Sequence, residues 1–221
     1  MYMIKSLIFV IICIMLIFVH HRVQREGFTQ NKSLVLMGDS ILNNEPYVEE
    51  DQTVESNLIQ TTSDRVFTLA KDHSTIQDVY SQLDAIPISY NNAQTYIVLS
   101  VGGNNLLSEL LYSKRGKVNV RLIFDEYKKL VLSVRKTNNK ANLFLVDIYY
   151  PISGTFHKII HPWNALLYRF AEKHNIPVVK ISESFTQGQD FINHIEPSQK
   201  GSKIIAETIL KSIYFNRDHS A

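Results

Sequence analysis

The distribution of apolar and polar positions predicts a chain in which strands alternate with helices. Short runs of β-branched and aromatic residues are typical of buried strands, whereas apolar residues spaced three or four positions apart are typical of helices with one buried face. The predicted strands are Ser33–Met37, Arg65–Leu69, Tyr96–Val101, Asn142–Val146 and Val178–Ile181. The predicted helices are Thr53–Gln60, Ser74–Leu83, Val120–Asn138, His161–His174 and Ser198–Phe215.

This alternation predicts an α/β fold with a largely parallel sheet that carries helices on both faces. Two helix starts have local signals: Pro162 suits a first turn, and Ser198 is a plausible N-cap. In such sheets, ligands bind beyond the carboxyl ends of the strands. The residues that follow each predicted strand are therefore the first place to look for a functional site.

The N-terminus differs in kind from the rest of the chain. Ser6–Val19 is an uncharged apolar run, shorter than the roughly twenty residues of a full membrane span. Bulky and basic residues follow it, without the small residues of a cleavage site. We expect residues 1–21 to be an uncleaved, single-pass membrane anchor and residues 22–32 to be a linker. One alternative is a signal peptide cleaved at an unusual site, which would give a secreted protein. The other is that the apolar run forms a buried helix of the domain.

Composition and charge exclude some classes of protein. The chain has 221 residues, of which 45% are hydrophobic and 20% are charged, and its formal net charge is +2. We therefore expect no nucleic-acid partner, since binding nucleic acid requires a clustered basic surface. Cys13 is the only cysteine, so no intrachain disulfide framework holds the fold. Basic residues are concentrated after the apolar run, which favours a cytoplasmic domain by the positive-inside rule.

Two polar loops follow predicted strands and would open at the same edge of the sheet. Gly38-Asp39-Ser40 follows the first strand, and Gly102-Gly103-Asn104-Asn105 follows the third. Ser40 is either a serine in a turn or a nucleophile held at the sheet edge. Asn104 has the same two interpretations, as an amide that braces its loop or as a donor to a ligand.

These two motifs, with Pro197-Ser198-x-x-Gly201 before the last helix, resemble the SGNH/GDSL hydrolase family. The resemblance covers residues 33–217 and implies a three-layer α/β/α sandwich with a five-stranded, flavodoxin-like sheet. It also implies ester hydrolysis without a metal or cofactor. Ser40 would be the nucleophile, while its backbone N–H, Asn104 and the Gly103 loop would bind the oxyanion.

The sequence departs from the family pattern at two places. His73 stands where a glycine is expected to lend its backbone N–H to the oxyanion hole. Asn193 and Glu196 replace the aspartate and histidine of the family's acid–base pair. A carboxylate is a weak base for a serine unless burial raises its pKa. His194, oriented by Asp190 or Glu196, is the alternative base.

Two functional hypotheses remain open. The first is a membrane-anchored serine esterase or deacetylase that cleaves a small-molecule, glycan or lipid ester with Ser40. The second is a catalytically inactive protein of the same fold that binds a ligand or serves as a surface or envelope structural protein. A nucleotide-binding protein is disfavoured, because Gly102–Asn105 lacks the lysine and spacing of a phosphate-binding loop.

Overall fold

Five parallel strands form the sheet at the centre of the molecule. The computed structural model describes residues 32–112, 118–151, 154–185, 188–193 and 195–214. The strands are β1 (Ser33–Gly38), β2 (Arg65–Thr68), β3 (Thr95–Ser100), β4 (Asn142–Val146) and β5 (Val178–Val179). Their order is β2-β1-β3-β4-β5, and Val35 of β1 is in register with Phe67 and Ile97. The chain reverses its direction of travel across the sheet between β1 and β3, so a crevice opens at the carboxyl ends of these strands.

Helices cover both faces of the sheet. They are α1 (Val54–Thr61), α2 (Asp78–Asp84), α3 (Gly103–Tyr112), α4 (Val120–Thr137), α5 (Gly154–Lys173) and α6 (Gln199–Tyr214). Short 3-10 turns occur at Glu45–Tyr47, Glu50–Gln52, Ile88–Tyr90, Ile181–Glu183 and Gly188–Asp190. The expected α/β architecture with a five-stranded parallel sheet is confirmed.

Two apolar cores lie on opposite faces of the sheet, because successive side chains of a strand point to opposite sides. Val35 and Met37 of β1 pack with α2, α4 and α5, whereas Leu34 and Leu36 pack with α1 and α6. Trp163 of α5 is fully buried in the first core. Since both faces are covered, the edge at the strand ends is the part of the sheet left open to a ligand.

Capping side chains define several helix starts. Thr53 accepts a hydrogen bond from the backbone N–H of Ser56 at the start of α1. Ser198 accepts one from the backbone N–H of Gly201, with 3.2 Å between the atoms, at the start of α6. These bonds satisfy N–H groups that have no partner within the helix. The predicted cap at Ser198 is therefore confirmed.

Three helices differ from the expectation. Helix α3 was not predicted. Helix α2 begins at Asp78 and not at Ser74, because the Asp78 carboxylate accepts from the backbone N–H and the hydroxyl of Thr75 in a preceding turn. Helix α5 begins at Gly154, so Pro162 lies inside the helix, and its prediction as a first-turn residue was wrong. Because the helix starts earlier, Ile159 and Ile160 become part of its buried apolar face.

Residues 1–31, which include the predicted anchor and nearly all of the predicted linker, lie outside the described residues. Among the helices of the described ranges, none combines the length and apolar character needed to cross a bilayer. The membrane anchor therefore stays a prediction.

Candidate active site

The loop after β1 brings Ser40 to the edge of the sheet through a conformation that requires glycine. Gly38 has a φ of 133°, and a Cβ atom there would lie 1.6 Å from the carbonyl oxygen of Ser100. The backbone N–H of Asp39 donates to that same oxygen over 3.0 Å. The exits of β1 and β3 are therefore tied together, and Ser40 follows directly from this junction.

Asp39 braces the loop from inside the protein. Its carboxylate accepts hydrogen bonds from the backbone N–H of Ile41, at 3.3 Å, and from the hydroxyl of Ser100, at 3.4 Å. Burial raises the pKa of this carboxyl to about 7, and the nearby charge of Glu196 acts in the same direction. Asp39 therefore carries a proton over much of the acidic range.

The loop after β3 supplies Asn104. Gly102 has a φ of 122°, and a Cβ atom there would lie 2.3 Å from Cζ2 of Trp163. Gly103 begins α3, and the side-chain N–H of Asn104 donates to the backbone carbonyl of Ser74 over 3.0 Å. A carboxamide has two N–H donors, so this bond orients Asn104 and leaves the other donor for a ligand.

Glu196 reaches the same edge from the loop before α6. Its backbone carbonyl accepts from the N–H of Ile192 over 2.9 Å, and its N–H donates to the side-chain oxygen of Asn193 over 3.0 Å. The hydroxyl of Tyr149 donates to the carbonyl of Ile195 over 2.7 Å. Asn193 thus shapes the turn that holds Glu196, a role that an amide oxygen performs as well as a carboxylate.

The Glu196 carboxylate and the Ser40 hydroxyl line the same cavity. Burial raises the pKa of Glu196, the nearby Ser40 hydroxyl opposes that rise, and the charge of Asp72 adds to it. The Oε2 atom is buried and has no hydrogen-bond partner among the described residues. A partly desolvated carboxylate beside a serine hydroxyl is a stronger base than a carboxylate in water.

His73 occupies its loop position in a left-handed conformation, with a φ of 59°. Histidine adopts this conformation more readily than most residues other than glycine. Its backbone N–H donates to its neighbour Asp72 over 2.8 Å, and its exposed ring nitrogen lies 3.4 Å from the same carboxylate. Asp72 also accepts from the hydroxyl of Tyr47. The N–H that the family resemblance assigns to the oxyanion hole is thus already hydrogen-bonded.

A cavity of about 330 Å³ brings these groups together. The residues that the sequence suggested and that line it are Ser40, His73, Gly103, Asn104, Asn193 and Glu196. His194, the other candidate base, lies outside the described residues. Asp190, proposed as its orienting partner, forms an ion pair with Lys200 over 2.8 Å.

Sequence reasoning missed several residues of the cavity. Tyr47 gave no signal, because it lies in a short 3-10 turn without periodicity. Leu106 and Leu107 lie on the unpredicted α3, and Ile159 and Ile160 lie on the unpredicted first turns of α5. Their apolar spacing was the available signal.

In the described ranges, no three histidine, cysteine or acidic side chains are grouped so that they could hold a metal ion.

The sequence by itself has no detectable relatives in two comparisons. No protein-family model matches it, and no curated protein matches it at a significant level.

Solved structures, by contrast, share the fold. The chain is similar to the acetyl xylan esterase AlAXEase at 13% identity and a TM-score of 0.68, covering 82% of this chain and 99% of the other. It is also similar to a member of the lipolytic protein G-D-S-L family from Veillonella parvula, at 15% identity, a TM-score of 0.64 and coverages of 84% and 98%. An acetyl-xylooligosaccharide esterase from Geobacillus is similar at 18% identity and a TM-score of 0.65, covering 83% of this chain and 94% of the other. These likenesses confirm the expected SGNH/GDSL hydrolase-like fold. Identities this low establish the fold alone.

Proposed function

We propose that this chain is a serine-type carboxylic-ester hydrolase in which Ser40 is the nucleophile and Glu196 the general base. The observation that carries the proposal is that Ser40 and Glu196 line one cavity, where the Ser40 hydroxyl is near enough to lower the pKa of Glu196. Asn104 lines the same cavity, in a fold shared with esterases. A nucleophile beside a base and an oxyanion donor is the arrangement that acyl transfer requires.

In the proposed acylation step, Glu196 takes the proton of the Ser40 hydroxyl as Oγ bonds to the ester carbonyl carbon. The carbonyl electron pair moves to its oxygen, where the Ser40 backbone N–H and the free N–H of Asn104 stabilise the negative charge. Collapse of this intermediate breaks the bond to the alcohol oxygen, which leaves with the proton from Glu196. One such oxyanion donor is worth about 3 kcal/mol of barrier.

Deacylation repeats these steps with water. Glu196 takes a proton from a water molecule, whose oxygen attacks the acyl carbon, and it then returns the proton to Ser40 as the acid leaves. The base must be ionised at the start of each step. Because burial raises the pKa of Glu196, we expect activity to rise with pH as this carboxyl ionises.

The cavity walls favour an apolar acyl group larger than acetyl. The apolar lining residues are Ile41, Leu106, Leu107, Ile148, Pro151, Phe156, Ile159, Ile160 and Ile195. The acyl esters of a lipid or a small alcohol would bury apolar surface here, and each buried methylene contributes about 0.8 kcal/mol. An acetyl group would cover little of this surface.

The first test measures fluorophosphonate labelling and hydrolysis of p-nitrophenyl esters by the full chain in detergent. We expect Ser40→Ala to abolish labelling and Glu196→Gln to lower kcat about 100-fold or more. The controls are Ser133→Ala on α4 and Glu183→Gln, an exposed acid beside Lys180. A wild type that labels no better than Ser40→Ala contradicts the proposal, provided that both fold equally by circular dichroism.

A second test compares acetate, butyrate and hexanoate esters. We expect kcat/KM to rise from acetate to the longer acyl groups, and Ile160→Trp to reverse this order by filling the cavity. A constant or falling kcat/KM in the wild type would contradict the acyl-pocket assignment and leave the assignment of Ser40 untouched.

The inactive alternative draws on one observation, the carboxylate at the family's histidine position. A protein of this kind would bind an acyl or glycan ligand in the same cavity, or serve as a surface or envelope structural protein. Ester turnover that disappears in Ser40→Ala and in Glu196→Gln excludes this alternative. Ligand binding without turnover at any pH supports it. His194→Ala, tested beside them, decides whether the other candidate base contributes.

The proposal includes a single-pass membrane anchor in residues 1–21, supported by the uncharged run Ser6–Val19. We expect the full chain to stay with membranes after alkaline carbonate extraction, and a variant without residues 1–21 to be released. A mature N-terminus beyond residue 21 would show cleavage and favour a secreted protein.

A further inference from the structure

A groove along α4 and the C-terminal half of α5 has a combination of features that the esterase proposal does not use. Its volume is about 1030 Å³, and it is lined by Arg121, Leu122, Phe124, Asp125, Lys128, Lys129, Leu132, Leu166, Arg169, Phe170, Lys173 and His174. The active-site cavity uses Phe156, Ile159 and Ile160 of α5, so the two sites have no residue in common. We call this surface the α4–α5 groove.

The α4–α5 groove is strongly basic although the whole chain is nearly neutral. Five lining residues are lysine or arginine, namely Arg121, Lys128, Lys129, Arg169 and Lys173. Asp125 is the only acidic residue among the lining residues, and it forms an ion pair with Lys128 over 2.6 Å. Within the described part of the chain, the other four cations are in no ion pair. They form a concentrated positive surface that favours an anionic partner.

Exposed leucines accompany these cations. Leu122 and Leu132 are 61% and 46% exposed, and together with Asp125 and Lys129 they lie along one stripe of α4, since residues three or four positions apart share a helix face. Leucines of this exposure contribute nothing to a purely electrostatic contact with nucleic acid. At the surface of a bilayer, by contrast, basic side chains meet lipid phosphates while apolar side chains enter the headgroup boundary.

We propose that the α4–α5 groove docks onto an anionic lipid surface. Charge complementarity and the exposed leucines favour this partner over a nucleic acid or an acidic protein. The membrane anchor proposed for residues 1–21 adds a reason of a different kind, because tethering to a bilayer raises the effective concentration of lipid at the domain. Each basic side chain near an anionic membrane strengthens binding roughly fivefold.

The test measures acetylation of individual lysines in the full chain with vesicles of phosphatidylcholine, with or without phosphatidylglycerol. We expect Lys129 and Lys173 to lose reactivity severalfold when phosphatidylglycerol is present, and high salt to restore it. Lys203 and Lys211, which are exposed on α6 at the opposite face of the sheet, serve as internal controls. Because the two vesicle types differ only in phosphatidylglycerol, the difference in lysine reactivity between them reports docking whether or not residues 1–21 anchor the chain.

Charge reversal provides the variant. Lys129→Glu combined with Arg169→Glu should weaken binding at least about 25-fold, which is read as lost protection of Lys173, whereas the same change at Lys203 and Lys211 should leave that protection intact. Equal reactivity of the groove lysines in both vesicle types overturns the proposal. Protection by single-stranded DNA or by polyglutamate, without protection by phosphatidylglycerol, overturns it as well. Ester hydrolysis in detergent should be unchanged in the charge-reversal variant, so this outcome is independent of the proposed catalysis.

Discussion

Replacement of Asp39 by asparagine should make the protein more stable in mild alkali and flatten its dependence on pH. Burial raises the pKa of Asp39 from 3.8 in the unfolded chain to about 7 in the folded protein. Between these values the folded state keeps a proton that the unfolded state has lost, so the free energy of unfolding falls as pH rises. The shift of about three pKa units corresponds to about 4 kcal/mol, at about 1.36 kcal/mol per unit. This stability is complete below the unfolded pKa and is lost as pH rises through about 7.

An asparagine has nearly the same shape and can still accept from Ile41 and Ser100, but it has no proton to lose. Urea unfolding at about pH 5 and about pH 8 measures the effect, because about 3 kcal/mol of the loss falls within this window. Glu196 shifts in the same direction, so the wild type must be compared with Asp39→Asn rather than with a theoretical curve. The same substitution at exposed Asp84 controls for the loss of one charge. If wild type and Asp39→Asn lose equal stability across this window, the buried, protonated state of Asp39 is refuted.

Three further substitutions test the packing of the domain, two by the free energy of unfolding in urea and one by its ability to fold. Asn44→Ala should lower the free energy of unfolding by about 1–3 kcal/mol, because the fully buried Asn44 side chain donates to the Ser202 hydroxyl over 2.6 Å and accepts from a backbone N–H of α1. No measurable change would show that these bonds are not formed. Gly38→Ala should prevent native folding, since its Cβ would lie 1.6 Å from the Ser100 carbonyl oxygen, and a native far-UV spectrum with ester hydrolysis would contradict this. Tyr127→Phe should be neutral or stabilising, because the buried Tyr127 hydroxyl has no hydrogen-bond partner among the described residues, and a loss above about 1 kcal/mol would reveal one.

The positions of the site loops could be predicted from sequence because they depend on local signals. Gly38 and Gly102 each follow a run of strand-forming residues, and parallel strands place their carboxyl ends at one edge. Ser198 and Gly201 likewise mark the start of α6 within a few residues. Motifs of this kind record conformations that few residues can adopt.

The orientation of Glu196 could not be predicted, since it depends on contacts between distant parts of the chain. The hydroxyl of Tyr149 fixes the backbone before Glu196, and the Asn193 side chain closes the turn. A sequence pattern contains neither distance nor burial, and these two quantities decide the pKa of a carboxyl. Helix α3 was missed for a simpler reason: it follows Gly102 directly, and a glycine-rich stretch predicts a loop.

Ser40 lies just after the first strand, whereas Glu196 lies in the segment just before the last helix. A ribosome therefore releases the nucleophile early and the carboxylate late, with nearly the whole domain synthesised in between. A nascent chain, or a fragment that ends before residue 196, holds Ser40 without the proposed base. The hydrolysis proposed above would thus become available only when translation of the domain is almost finished, which would couple activity to completion of the fold.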